Sequence, residues 1–380
     1  MILTNARIFD CEAKKFFLGS IEIENEIIKN IIDGPVAPSS DAKDMNGAML
    51  IPGFVDVHTH GRNGFDFNKA TKDDMLKMAR GYASKGVTTV MPTLASAPLE
   101  SLKESSTIIN ELKDNNNGAR FAGIHLEGRY LNVSKRGAHA AELIAAPDAS
   151  ELADLLSYMK TPCHISAAYE LDTDGSFMQT AIYAGATLGL GHTSATCVQA
   201  LDIIKRGNVS MTHTYNAMTP LHHREAGVVG AALLSDAYCE LICDGLHICP
   251  EIVALTYKVK GSDKVVLITD SMEATGNGDG EYSIAGMPVI VKNGKALTID
   301  GALAGSTLEM ADGIRNLVRF AGATLEEALA CATINPAKMV KIDSICGSLE
   351  IGKRADIVVA REDSEQVFVI ESVLLGGKEI

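Results

Sequence analysis

The chain has 380 residues, of which 46% are hydrophobic, and a formal net charge of −14. This composition, without a low-complexity tract, predicts a globular protein with a sizeable core. The negative charge argues against nucleic acids and anionic membranes as partners, because both require a basic protein surface. A small anionic ligand is still allowed, since one Arg in a local pocket can bind it.

The cysteines and the N-terminus indicate a cytoplasmic protein. The eight cysteines are scattered without a C-x-x-C pair, which disfavours a disulfide scaffold or a zinc ribbon. Residues 1–10 lack the basic segment followed by an apolar segment that marks a signal peptide. No apolar run is long enough to cross a bilayer. We therefore expect reduced thiols and no membrane partner.

Both ends of the chain have the pattern of short β-strands. Polar and apolar residues alternate at 20–24, and apolar runs occupy 355–360 and 367–375. Neither end has a helical period of useful length. We expect residues 1–51 and 345–380 to join into one small β-sandwich domain.

Residues 52–344 have a different pattern, in which short β-branched runs alternate with helical stretches. Such alternation predicts βα units and a parallel sheet. The eight runs lie at 54–60, 87–92, 121–127, 163–169, 186–192, 209–213, 239–244 and 265–270. Helices are predicted between them, for example at 71–85, 98–115 and 195–206. The region therefore predicts a (β/α)8 TIM-type barrel, with residues 274–303 inserted after the eighth strand.

Titratable side chains recur where these predicted strands end, which is where barrel enzymes carry their chemistry. The first strand ends with His58 and His60, and residues two apart in a strand point the same way. Other strands end at Glu127, His192, His213 and Asp270. Burying so many unpaired polar groups is costly, and a metal centre relieves that cost. Imidazole and carboxylate ligands suit Zn²⁺ or Fe²⁺, and six ligands allow one ion or two ions bridged by a carboxylate.

Several motifs carry a resemblance to a known family. His58-Thr59-His60-Gly61, after Pro52-Gly53-Phe54-Val55-Asp56, resembles the opening motif of the amidohydrolase superfamily. More specific segments resemble the N-acetylglucosamine-6-phosphate deacetylases within it: His125-Leu126-Glu127-Gly128, Thr212-His213-Thr214-Tyr215-Asn216-Ala217-Met218, Asp244-Gly245-Leu246-His247, Leu267-Ile268-Thr269-Asp270 and Leu303-Ala304-Gly305-Ser306-Thr307. The similarity covers essentially the whole chain.

The resemblance implies a role for each matching residue. Glu127 would bridge two metals, one held also by His192 and His213, the other by His58, His60 and Asp270. Asp270 would transfer protons as general base and then general acid, and His247 would polarise the acetyl carbonyl. The substrate contacts would be Asn216, Ala217 and Arg224 at the phosphate, and Ala138, Leu303, Ala304 and Gly305 at the sugar. The family is usually dimeric, so a homodimer is expected.

Two positions depart from the family pattern. Arg129 follows His-Leu-Glu-Gly where a Pro is common, and Glu225-Ala226-Gly227 replaces the common Glu-Pro-Gly. Neither change removes a ligand, but both are expected to reshape loops near the sugar.

The resemblance implies deacetylation of N-acetylglucosamine 6-phosphate, and three alternative functions compete with it. The same reaction on N-acetylgalactosamine 6-phosphate differs by one hydroxyl epimer, which the sequence barely separates. A cyclic-amide hydrolase usually needs a Lys at a barrel strand end, and Glu127 stands in that place. A catalytically inactive relative typically loses ligands, whereas this chain keeps all six.

Overall fold

The computed structural model describes residues 1–37 and 40–380. In this part of the chain the strands are β1 (Ile2–Asp10), β2 (Lys15–Glu24), β3 (Ile27–Asp33), β4 (Ala42–Asp44), β5 (Met49–Pro52), β6 (Phe54–Thr59), β7 (Gly61–Arg62), β8 (Phe65–Asp66), β9 (Val87–Ala95), β10 (Arg120–Phe121), β11 (Ile124–Glu127), β12 (Cys163–Ala167), β13 (Thr187–Leu190), β14 (Ser210–Met211), β15 (Cys239–Ile242), β16 (Val265–Ile268), β17 (Gly280–Ile284), β18 (Met287–Lys292), β19 (Lys295–Thr298), β20 (Ile357–Asp363), β21 (Val367–Leu375) and β22 (Lys378–Glu379). The α-helices are α1 (Lys72–Ala83), α2 (Leu99–Leu112), α3 (Ala149–Ser157), α4 (Ser176–Tyr183), α5 (Cys197–Gly207), α6 (Gly227–Leu234), α7 (Pro250–Lys260), α8 (Met310–Ala321), α9 (Leu325–Ala332) and α10 (Ile334–Met339).

The two ends of the chain join into one small β-domain, as predicted, and its strands form a single sheet. Its strand order is β22-β21-β20-β5-β1-β2-β3, with β4 beside β1. The ends meet where β5 pairs antiparallel with β20, in a register that sets Leu50 opposite Val359. Alternate side chains of these strands, among them Leu3, Ile21 and Ile357, form an apolar cluster of their own. This small β-domain therefore has its own core.

The central region is a barrel of parallel strands in chain order, β6, β9, β11, β12, β13, β14, β15 and β16, which confirms the predicted (β/α)8 fold. All eight predicted strand positions are occupied by these strands. First and last strands are joined by a parallel bridge between Thr59 and Ser271. The buried carboxylate of Asp56 on β6 adds to this closure by accepting hydrogen bonds from Thr269 Oγ1 at 2.5 Å and from the Thr269 backbone N–H.

The helices α1 to α8 each follow one barrel strand and cover it from outside. In α1 the residues Met75, Met78, Ala79 and Tyr82 recur at helical spacing and are buried. Thr71 caps the N-terminus of this helix, where Thr71 and Asp74 form a reciprocal capping box. Within the described residues, no helix combines the length and apolar character needed to span a membrane.

The insertion after the eighth strand forms a small antiparallel sheet, β17-β18-β19. A separate apolar cluster that includes Met272, Ile284 and Ala304 packs it onto the barrel. The turn after β17 is tied down because the carboxylate of Asp66 accepts a hydrogen bond from the Ala285 N–H at 2.7 Å. The insertion thereby forms one wall over the C-terminal ends of the barrel strands.

Candidate metal centre and active site

A cavity of about 220 Å³ opens at the C-terminal ends of the barrel strands. Most of the candidate site residues line it, together with side chains from the insertion. The lining comprises His60, Ala95, Glu127, Gly137, Ala138, His139, His192, His213, Asn216, Ala217, His247, Asp270, Ile284, Ala285, Leu303 and Gly305. The cavity is therefore largely polar at its base, where the predicted metal ligands lie.

The carboxylate of Glu127 lies at the centre of this base, between two pairs of imidazoles. Its Oε1 is 2.9 Å from His213 Nε2 and 3.2 Å from His192 Nε2. Its Oε2 is 3.0 Å from His60 Nε2 and 3.4 Å from His58 Nε2. The Oδ1 of Asp270 is 3.3 Å from His60 Nε2, on the same side as Oε2. The structure thus brings together all six predicted ligands and divides them into two groups that share one carboxylate.

Three of these six residues have a left-handed backbone just beyond the end of a strand. The φ angles are 47° at His192, 29° at His213 and 48° at Asp270. Such conformations cost a residue other than glycine about 1 to 3 kcal/mol and persist where surrounding contacts enforce them. At Asp270 those contacts are the hydrogen bonds of its N–H to the His58 carbonyl and of the Ser306 N–H to its own carbonyl. The turn ends the strand and brings each side chain to the cavity.

The hydrogen bonds of the imidazoles show which nitrogens carry lone pairs toward the centre. His192 Nδ1 is 2.7 Å from the Lys135 carbonyl oxygen, which can only accept, so Nδ1 carries the proton. The Nε2 lone pair of His192 therefore faces Glu127 and His213 Nε2, which is 3.0 Å away. Among the described residues, His58 Nε2 has no hydrogen-bond partner. Lone pairs and carboxylates that converge in this way fit the donor set of a divalent cation.

The two carboxylates of the centre are ionised at neutral pH. Burial by itself raises the pKa of Glu127, but the neighbouring His58, His192 and His213 outweigh burial and hold that pKa well below its ordinary value. Asp270 is also buried, and His58 and His60 lower its pKa in the same way. The same contacts raise the pKa of His58 above its ordinary value and that of His60 to about 9, so a divalent cation that binds here displaces imidazole protons.

His139 lies beside this centre and was not among the residues singled out from the sequence. Its Nδ1 accepts from Ser96 Oγ at 3.0 Å, while Ser96 Oγ accepts in turn from the Arg129 N–H. The Ser96 backbone N–H also donates to Nδ1, at 3.3 Å. Burial lowers the pKa of His139 to about 3, so the ring is neutral and its single proton is on Nε2. The Nε2–H lies 3.8 Å from Glu127 Oε2, at the cavity. A neutral ring with this tautomer offers a hydrogen-bond donor to the cavity. The only indication of His139 in the sequence was that it follows Ala138, an expected sugar contact.

The remaining substrate candidates fall into two groups. His247 lines the cavity, with its Nδ1 2.7 Å from the Asp244 carboxylate, and Ala138, Asn216, Ala217, Leu303 and Gly305 also line it. Ala304 is buried behind the wall, in the cluster that holds the insertion. Arg224 lies on an exposed turn outside the cavity lining, where its Nη1 is 2.6 Å from His223 Nε2.

A second residue that sequence reasoning missed is Glu240 on β15. Its side chain is fully buried below the centre, 3.2 Å from His58 Nδ1. The signal was a single carboxylate within the otherwise apolar run Cys239-Glu240-Leu241-Ile242-Cys243. An ionisable residue inside a buried strand indicates a paired or ligand-supporting role.

Comparison with known proteins agrees with this geometry. The model of the amidohydrolase family matches residues 49–380. The chain belongs to the amidohydrolase family. Among curated members it is 34% identical to an N-acetylglucosamine-6-phosphate deacetylase of Vibrio furnissii, over 89% of this chain and 84% of that protein. It is also 34% identical to an N-acetylgalactosamine-6-phosphate deacetylase of Escherichia coli O157:H7, over 86% of this chain and 89% of that protein.

A solved structure of a deacetylase has the same fold. A mutant of the N-acetyl-D-glucosamine-6-phosphate deacetylase of Mycobacterium smegmatis, in complex with N-acetyl-D-glucosamine 6-phosphate, superimposes with a TM-score of 0.91 at 29% identity. The match covers 100% of this chain and 98% of that chain. The barrel and the small β-domain are therefore shared features.

The division of ligands around Glu127 predicts how metal content responds to mutation. Changing both His58 and His60 to Gln should remove one ion per chain and leave the ion held by Glu127, His192 and His213. Elemental analysis after metal loading and desalting measures this directly. The exposed pair His222 and His223, changed to Gln in the same way, is the control and should keep the wild-type content. Loss of all metal, or of none, from the His58/His60 variant would contradict the division.

Proposed function

We propose that the protein hydrolyses the acetyl amide of N-acetyl-D-glucosamine 6-phosphate, giving D-glucosamine 6-phosphate and acetate. The observation that carries the proposal is the pair of ligand groups sharing Glu127, at the base of a cavity in an amidohydrolase barrel. Curated relatives that cover most of the chain carry this activity in their names, which supports the choice of substrate.

One or two divalent ions, Zn²⁺ or Fe²⁺, are the proposed cofactor. Glu127, His192 and His213 would hold the first ion, and His58, His60 and Asp270, with Glu127 shared, would hold the second. A divalent cation at this position supplies Lewis acidity, which lowers the pKa of water from about 15.7 toward 7 and polarises a carbonyl.

Asp270 is the proposed proton-transfer group. Its carboxylate is ionised and borders the cavity, so it can accept the proton of the attacking water as general base. It then donates that proton to the nitrogen of the departing amino sugar, which leaves as an amine. One carboxylate can serve both steps because the attacking oxygen and the leaving nitrogen are bonded to the same carbon.

Two imidazoles are proposed to bind the oxygen of the acetyl group as negative charge develops on it. His139 offers the Nε2–H of a neutral ring, held in that tautomer by Ser96. His247 donates its Nδ1–H to Asp244, so donation to substrate from Nε2 requires the protonated ring. Donors placed at a developing oxyanion stabilise the transition state more than the ground state.

The phosphate and sugar contacts follow the cavity walls. Asn216 and Ala217 lie on one side of the cavity, and Ala138, Leu303 and Gly305 lie on another. The buried methyl group of Ala304 anchors its neighbours Leu303 and Gly305. Arg224 is the proposed phosphate cation. Because the turn that carries Arg224 is exposed, we propose that the protein forms a homodimer. Dimer formation would bring Arg224 to the cavity of its own chain or to that of the partner chain.

We propose that the reaction takes place in the cytoplasm.

The galacto epimer is the second candidate substrate, because a relative of equal identity carries that activity in its name. Acetate release from the two N-acetylhexosamine 6-phosphates, measured with the metal-loaded protein, decides between them. A higher kcat/KM for the gluco epimer supports the proposal. A higher kcat/KM for the galacto epimer makes N-acetylgalactosamine 6-phosphate the substrate. Absence of acetate release from both sugars overturns the deacetylase function.

The proposed role of Asp270 predicts that Asp270→Asn folds but is nearly inactive. Asn cannot accept the proton of water, and general acid–base catalysis contributes about 10² to 10⁴ in rate. Steady-state kinetics measures the loss, and thermal melting with metal analysis separates it from unfolding. If kcat stays above about a tenth of the wild-type value, a different group transfers the proton.

The phosphate assignment predicts a loss specific to phosphorylated substrate in Arg224→Ala. A charged hydrogen bond contributes roughly 1.5 to 3 kcal/mol, so kcat/KM should fall about 10- to 150-fold. Activity on unphosphorylated N-acetylglucosamine should scarcely change. Arg206→Ala, which removes an exposed Arg paired with Asp202 on α5, is the control and should resemble wild type. Equal losses on both substrates would make Arg224 structural.

A further inference from the structure

Below the ligand groups, inside the barrel, one carboxylate contacts both groups from behind. Glu240 on β15 has 0% of its surface exposed. Its Oε2 is 3.2 Å from His58 Nδ1 and accepts the His213 backbone N–H at 3.1 Å. Its Oε1 faces His164 Nε2 at 3.6 Å. A charge buried this deeply is retained at a high desolvation cost, which calls for a specific role.

The contact with Glu240 sets the tautomer of His58. When a cation binds and the His58 ring is neutral, its remaining proton is on Nδ1, because the Glu240 carboxylate beside Nδ1 can only accept. Nε2 then carries its lone pair toward Glu127 Oε2 and Asp270 Oδ1, at 3.4 and 3.6 Å. The plane of the ring is fixed as well, because His125 packs edge-on against it with the centroids 4.5 Å apart. His125 is itself hydrogen-bonded to Thr93 and Ser166.

The two ligand groups differ in what supports their imidazoles. His192 is oriented by the neutral Lys135 carbonyl, and His213 meets Glu240 through its backbone N–H. His58 instead contacts Glu240 through its ring, so a negatively charged carboxylate lies beside its Nδ1. A carboxylate behind a ligating imidazole raises the basicity of the coordinating nitrogen and fixes its direction.

We propose that Glu240 is a positioning residue for the ion held by His58, His60 and Asp270, and that its charge selectively strengthens that ion's binding. This inference rests on the two-ion arrangement of the proposed function. It assigns to Glu240 no contact with substrate. The ion held by Glu127, His192 and His213 is expected to be nearly independent of the charge on Glu240.

The test is Glu240→Gln, which keeps the size and an acceptor oxygen but removes the charge. We expect the affinity of the second Zn²⁺ to fall about 10- to 100-fold, with the first ion unchanged. Competition with a chelator of known affinity, together with elemental analysis, measures both ions without using activity. Glu309→Gln, which neutralises the partly buried partner of Arg62, is the control and should leave both affinities at wild-type values.

A double-mutant comparison makes the test specific to the ring of His58. In a His58→Gln background, adding Glu240→Gln should change metal binding no further, because the ring that Glu240 supports is gone. Equal loss of both ions in Glu240→Gln, or loss of neither, overturns the inference. If wild-type protein itself binds one ion, the two-ion proposal fails first, and this inference falls with it.

A measurement on the wild-type protein covers the case in which Glu240→Gln does not fold. Long-range ¹H–¹⁵N correlations of the histidine rings in Zn²⁺-loaded protein report the tautomer of His58, assigned by its disappearance in His58→Gln. Protonation at Nδ1 supports the inference. Protonation at Nε2, or an Nε2 resonance that does not change when Zn²⁺ is removed, overturns it.

Discussion

The carboxylate of Glu127 imposes the main constraint on this protein, because four imidazole nitrogens approach it within 3.4 Å. These rings come from the first, fifth and sixth strands of the barrel, so those strands must end at one height. The closed parallel barrel supplies such a common end. An ionised carboxylate at this depth is stable when opposite charge or hydrogen-bond donors surround it. The architecture of the active face is therefore set by the surroundings that one side chain requires.

The barrel interior below Glu127 is unusually polar for a packed core. Glu240, His125, His164 and Ser166 are all completely buried there, within hydrogen-bond or ring-contact distance of one another. The aliphatic core lies instead between the strands and the outer helices. Side chains that fix the direction of a ligating ring need polar partners, because hydrogen bonds are directional and apolar contacts are not. The polar interior of this barrel thus orients the side chains at the C-terminal ends of its strands.

The sequence predicted the fold and placed the six candidate ligands at neighbouring strand ends, because both predictions depend on local periodicity. Runs of β-branched residues marked all eight strands, and two-residue spacing placed His58 and His60 on one face. The observed strands are shorter at the ligands: the fifth ends at Leu190 and the sixth at Met211, each two residues before its histidine. Left-handed backbone at those histidines depends on long-range hydrogen bonds, which no periodicity records. His139 lies in a loop, and Glu240 lies in an apolar run, so neither belonged to a pattern. The exposed position of Arg224 depends on the path of its turn.

The left-handed backbone at His192, His213 and Asp270 links activity to conformational energy. Each residue occupies a region that glycine enters without steric cost, and each carries a side chain to which the proposed chemistry assigns a role. Selection for stability alone would favour glycine at all three places, since a relaxed turn lowers the energy of the folded chain. The folded state therefore lies above the lowest energy available to its backbone, by roughly 1 to 3 kcal/mol at each position. Glycine substitutions at these three turns would raise thermostability, but they would remove the side chains that the proposed reaction requires. A variant that is both more stable and active must therefore gain its stability at other positions.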